Sequence, residues 1–172
     1  VNAHQNLIAW KQAVVQNLAS VDADMANFIR DRRVSIGFWK CGAHVGAFWL
    51  PGNRIFLNLR HFSLQTDPKA ARIQSILVHE IRHLQQGFFT ALSVYGELEA
   101  WQLGFRVYHE LTGEPYHPNL VELMSLPLGW DRVVLRRAQA LMQVYASKAY
   151  RSDLLPLYPW GREIKYRLGF RS

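Results

Sequence analysis

Residues 67 to 87 constrain the fold more than any other stretch, because they read as one helix with two chemically different faces. Asp67 offers a side-chain oxygen to free amides, and Pro68 suits a first helical position, so a helix is expected to open there. It should run to Gln86, with Gly87 as the stop, since glycine accepts the left-handed conformation that ends many helices. Ala70, Ile73, Leu77, Ile81, Leu84 and Phe88 recur at helical spacing and form one apolar stripe. Nearly opposite that stripe lie His79 and His83 of the motif His79-Glu80-Ile81-Arg82-His83. Burying the stripe in a core turns both imidazoles into a cleft; the plainer alternative is two surface histidines on the polar side of an amphipathic helix.

The other elements follow from changes of period. Leu7, Ile8, Val14, Val15 and Leu18 predict a helix over about 4–19, and a second is expected over 22–32 with Ser20 as its cap. Val34 to Trp39, His44 to Leu50 and Arg54 to Arg60 are rich in strand formers. Leu50-Pro51-Gly52-Asn53 between the last two is turn chemistry. We read an antiparallel three-stranded meander over 34–60. Further helices are expected over 91–111, stopping at Gly113, and over 130–147, with a proline-broken tail. The fold class is therefore α+β: a small meander packed on the residue 67–86 helix, with additional N- and C-terminal helices. No linker divides the chain, so residues 1–172 read as a single domain.

Composition excludes several classes. Hydrophobic residues are 49% and charged residues 19%, which argues against disorder. No apolar run is long enough to span a membrane. Cys41 is the only cysteine, which excludes an internal disulfide or a cysteine-rich zinc module and slightly favours a cytoplasmic setting. It sits in a Cys-Gly-Ala turn and reads as a half-buried small residue, not a nucleophile. The net charge of +7 can attract nucleic acid, anionic membrane or acidic substrates. The basic residues are scattered, densest at 30–33, 136–137 and 162–171, without a nucleic-acid recognition signature.

His79 and His83, at i and i+4, share a helix face and can reach one metal ion. Glu80 projects about 100° away, where it can act as general base without ligating. Zn²⁺ suits such a pair; it acidifies bound water and polarises a carbonyl. A catalytic zinc normally has three protein ligands. Glu97 and Glu99 on the next helix lie about 200° apart, so only one can face the metal. Glu97 borders the stripe of Val94, Leu98, Trp101, Phe105 and Tyr108 and stands among the small residues Ser93, Ala100 and Gly104, which allow close helix approach. Glu97 is therefore favoured; Glu110, Glu114 and His117 are next in line. Arg82 reads as half of a helix-side ion pair.

His79-Glu80-x-x-His83 followed by Glu97-x-x-Ala100 resembles the gluzincin branch of the zincin metallopeptidases. The resemblance covers about residues 44–105. It implies His79, His83 and Glu97 as zinc ligands and Glu80 as general base and acid in peptide hydrolysis. Many members follow that alanine with aspartate, which steadies a zinc-bound histidine; here Trp101 stands there. The resemblance also implies an edge strand that pairs with extended substrate, placed at Gly46-Ala47-Phe48-Trp49, with Ala47 as a substrate contact. An oxyanion-stabilising residue is implied too, with Tyr95, His109, Tyr116, His117 and Tyr150 as unranked candidates. A peptide or protein is the expected substrate. The rival reading is a non-catalytic basic module that binds nucleic acid or an acidic protein.

Overall fold

The computed structural model describes residues 3–146 and 150–169. The class is α+β: among the described residues, eight α-helices accompany one three-stranded sheet. The chain divides into two compact units, Val1–Ile81 with Leu103–Glu114, and Arg82–Gln102 with Pro115–Ser172.

The first unit begins with α1 (Ala3–Val21) and α2 (Ala23–Asp31). Trp10, Val14 and Leu18 bury the inner face of α1. The cap of α2 is Asp22, whose side chain accepts from Met25 N, and not Ser20, whose hydroxyl donates back to Asn17 O within α1. Strands β1 (Ser35–Trp39), β2 (Ala47–Leu50) and β3 (Arg54–Asn58) follow. They do not form an antiparallel meander. The order is β1-β3-β2, with β1 parallel to β3 and β2 antiparallel to it.

Asn58 accounts for that order. It is fully buried at the end of β3, and its amide donates to Gly42 O and Val45 O while its carbonyl oxygen accepts from Cys41 N and Arg60 N. The 40–46 connection is thereby tied across the end of β3, and the chain descends on the far side as β2. The β2–β3 turn is the expected one, with Gly52 and Asn53 both at positive φ. Asn58 N donates to Gly46 O, which makes Gly46 and Asn58 a hydrogen-bonded pair. Alternation along an antiparallel ladder then turns the main-chain N–H and C=O of Ala47 and Trp49 away from β3, towards the open edge.

Helix α3 (Ala71–Gln86) starts later than expected. Asp67 and Pro68 form a separate turn ahead of it, held by Lys69 N donating to the Asp67 carboxylate. Ile73, Leu77 and Ile81 are fully buried as the stripe requires, but Val78, Gln74, Glu80 and His83 are buried as well, and Phe88 is exposed. Over its last three turns α3 has no fully exposed residue, and its polar side chains there are buried or half-buried. Gly46 lies so close to it that a β-carbon there would meet Ile76 Cδ1 at 2.2 Å. The start of β2 is therefore pressed against α3 one turn ahead of the histidine motif.

Short α4 (Phe88–Ala91) separates α3 from α5 (Val94–Thr112), which ends as expected at Gly113, φ +69°. In the second unit, α6 (Pro118–Ser125) precedes α7 (Arg132–Ala146), and α8 (Trp160–Arg167) forms within the stretch expected to be a proline-broken tail. Pro118 sits at the first position of α6, where a missing N–H costs nothing. Gln102, buried on α5, donates to Leu123 O and Leu126 O and closes the end of α6.

Candidate metal centre

The site is built on two helices whose backbones come unusually close. Gly104 marks the approach: a β-carbon there would lie 3.0 Å from Ser75 O and 3.3 Å from His79 Cβ. Ser75 Oγ donates to Gly104 O at 2.8 Å and fixes the approach. Ser93 and Ala100, also in the small-residue ridge, are fully buried. At the start of α5, Ser93 Oγ accepts from Gly96 N and donates to Thr90 O, which caps the helix in place. Glu97 lies in that first turn, where the exposed amide ends of a helix favour a carboxylate.

His79, His83 and Glu97 each offer one ligand atom, and these atoms all lie within 4.8 Å of one another. His83 Nε2 and Glu97 Oε1 are 3.6 Å apart. Two ligands about 2.1 Å from a tetrahedral ion lie about 3.4 Å apart, so the spacing fits a first-row divalent metal. The donor set is two imidazoles and one carboxylate, borderline nitrogen with hard oxygen. Glu80, next to His79, is 5% exposed.

The surrounding hydrogen bonds aim the ligands. Gln86 Nε2 donates to Gly96 O at 2.9 Å and to Glu99 Oε2 at 2.8 Å, which fixes the amide orientation and turns its oxygen towards His83. That oxygen lies 3.2 Å from His83 Nδ1, so Nδ1 carries the proton and Nε2 offers a lone pair on the side of Glu97. Glu99 in turn accepts from Arg82 Nη2 at 2.6 Å, and Arg82 Nη1 donates to Gln85. Arg82 is thus the ion-pair residue its position suggested, and its partner is the glutamate that stands outside the cluster. Glu97 Oε2 accepts from Trp101 Nε1 at 3.2 Å and from the Tyr150 hydroxyl. Trp101 therefore orients the carboxylate, while Gln86 orients the histidine.

Tyr150 is the oxyanion candidate that bonds a member of the cluster, Glu97. Tyr95 stacks on Trp130, and burial, reinforced by the charge of Glu99 against the weaker opposing pull of Arg82, raises its phenol above the ordinary range. His109 bonds Glu114 O, while His117 caps α6 and packs on Tyr145. Tyr116 is half-buried just ahead of α6. Of the reserve ligands, Glu114 accepts from Tyr108 and Glu110 is exposed; neither they nor His117 joins the cluster. Ala47 has a buried side chain on the edge strand β2. Gln86 was missed by the sequence reading, although its i+3 spacing from His83 places it within reach. No protein-family model matches this chain, and no curated protein or solved structure is detectably similar to it.

Proposed function

We propose that this protein is a zinc-dependent peptidase of gluzincin type. The observation that carries the reading is the convergence of His79, His83 and Glu97, with ligand atoms inside 4.8 Å, around a helix turn that also carries the buried Glu80. Two histidines and a glutamate leave a fourth tetrahedral position open, which suits a catalytic rather than a structural zinc. Bound zinc supplies Lewis acidity there, polarising an acyl carbonyl and acidifying water.

The remaining work belongs to the chain. Glu80 takes the proton of the attacking water and passes it to the departing amine nitrogen, a role that needs a carboxylate poised beside the ligands. The edge strand β2 supports an extended substrate: the outward N–H and C=O of Ala47 can pair with a peptide backbone, as in other strand-addition complexes. Tyr150 donates its one hydroxyl proton to Glu97 and holds that ligand in place; stabilising a developing oxyanion would require the proton to turn away from Glu97.

The test is metal analysis of the purified protein combined with a broad peptide-library cleavage assay. Zinc near one per chain, with cleavage abolished by a chelator and restored by zinc, supports the reading. A metal-free protein with steeply salt-dependent nucleic-acid affinity would replace it with the basic binding module.

A further inference from the structure

Helix α8 is packed the wrong way round for a water-soluble helix. Amphipathic helices normally bury the apolar face and expose the polar one. Here the buried residue is Glu163, at 6% exposure, while Trp160, Ile164 and Leu168 at spacings of four are 53%, 52% and 68% exposed. Internal charge chemistry holds the helix in this orientation. Glu163 accepts from Arg167 Nε at 3.0 Å and lies 3.6 Å from Arg132 Nη1. The Arg132 guanidinium is stacked over the Tyr158 and Tyr166 rings, which ties the polar face inward.

The outward face combines apolar bulk with positive charge. Lys165 and Arg167 are exposed, and the acids in this region are answered: Glu163 by Arg132 and Arg167, Asp153 by Arg151. Beside Trp160, Ile164 and Leu154 opens a cavity of about 350 Å³. Helix α4 packs against α8, and its Phe88 and Phe89 are 50% and 62% exposed. Large exposed apolar side chains in one neighbourhood mark an interaction surface. Tryptophan, tyrosine and long aliphatics beside lysine and arginine are the chemistry of a helix that lies in the headgroup region of an anionic bilayer. No described helix is long and apolar enough to cross a membrane, so contact would be at the surface.

We propose that α8, with the adjoining α4, docks this protein onto anionic membrane surfaces. The apolar stripe enters the headgroup–acyl boundary, and the basic side chains meet the lipid charge. The proposal does not depend on the metal site.

Vesicle flotation of the full chain tests it, using phosphatidylcholine vesicles with and without phosphatidylglycerol. The protein is expected to float with the anionic vesicles and to remain behind with the neutral ones, and added salt should weaken binding. I164D/L168D should lower the bound fraction about tenfold or more, and K165E by less. Both positions of the double variant are exposed, so its circular dichroism spectrum and melting temperature should match the parent. Absence of flotation, equal flotation with both vesicle types, or flotation unchanged in I164D/L168D overturns the proposal. A dimer that the double variant converts to monomer, with no vesicle binding, also overturns it and makes a second copy the occupant.

Discussion

Two helices of this protein bury a glutamate almost equally, and for different reasons. Glu80 on α3 is 5% exposed and Glu163 on α8 is 6% exposed. Glu163 is answered by the guanidinium groups of Arg132 and Arg167, so its burial is explained by packing. Glu80 stands between two histidines that converge with Glu97, so its burial coincides with a donor set able to hold a metal. Burial alone is therefore a poor guide to function here; what sets Glu80 apart is the donor set beside it.

The sharpest way to break that contrast is a matched pair of isosteric substitutions. Glu80→Gln is expected to leave zinc content and melting temperature near the parent and to lower turnover by about three powers of ten or more, because an amide neither accepts nor returns the proton. Peptide cleavage measured beside metal analysis checks this; loss of zinc in the variant would make Glu80 a ligand or a structural residue. Glu163→Gln should do the reverse. It leaves two arginines without their counter-charge and should cost about 2–3 kcal/mol by urea unfolding, with zinc retained. A Glu163→Gln protein of parental stability would dissolve the distinction.

A third substitution sharpens how the ligands are held. Gln86→Leu removes the acceptor that sets the His83 tautomer and should weaken zinc affinity about 10–100-fold in a chelator competition. Unchanged affinity would show that the ring is oriented without Gln86. The smallest effect concerns Cys41. Desolvation raises its thiol, and the charge of Arg60 only partly opposes that. Folded-state elevation of an acid means that its thiolate forms at higher pH than in the unfolded chain. Iodoacetamide labelling of the native protein should therefore climb with pH later than labelling in urea.

Much of the site was legible because it depends on local helix geometry. The i, i+4 histidines share a face in any helix, and the small residues around Glu97 mark a close approach that Gly104 and Ser75 realise. Tyr150 could not be ranked, since 53 residues separate it from Glu97 and no local period connects them. The strand order escaped for a similar reason: one buried asparagine, Asn58, ties the 40–46 connection across β3, and its residue type alone does not announce that. Helix α8 escaped because Pro156 and Pro159 just ahead of it read as breakers of the tail. The edge of β2 was placed on resemblance, and the ladder alternation supplies a physical basis for its outward N–H and C=O groups.

The central claim is that Glu97, and not its neighbour two residues on, completes a zinc site with His79 and His83. Zinc stoichiometry after dialysis against a weak chelator, for the parent, Glu97→Ala and Glu99→Ala side by side, tests it most directly. The parent and Glu99→Ala should each retain about one zinc per chain. Glu99→Ala should lose about 1–2 kcal/mol of stability through its bonds to Arg82 and Gln86. Glu97→Ala should lose the metal. Zinc retained by Glu97→Ala but lost by Glu99→Ala, or absent from the parent, would contradict the account.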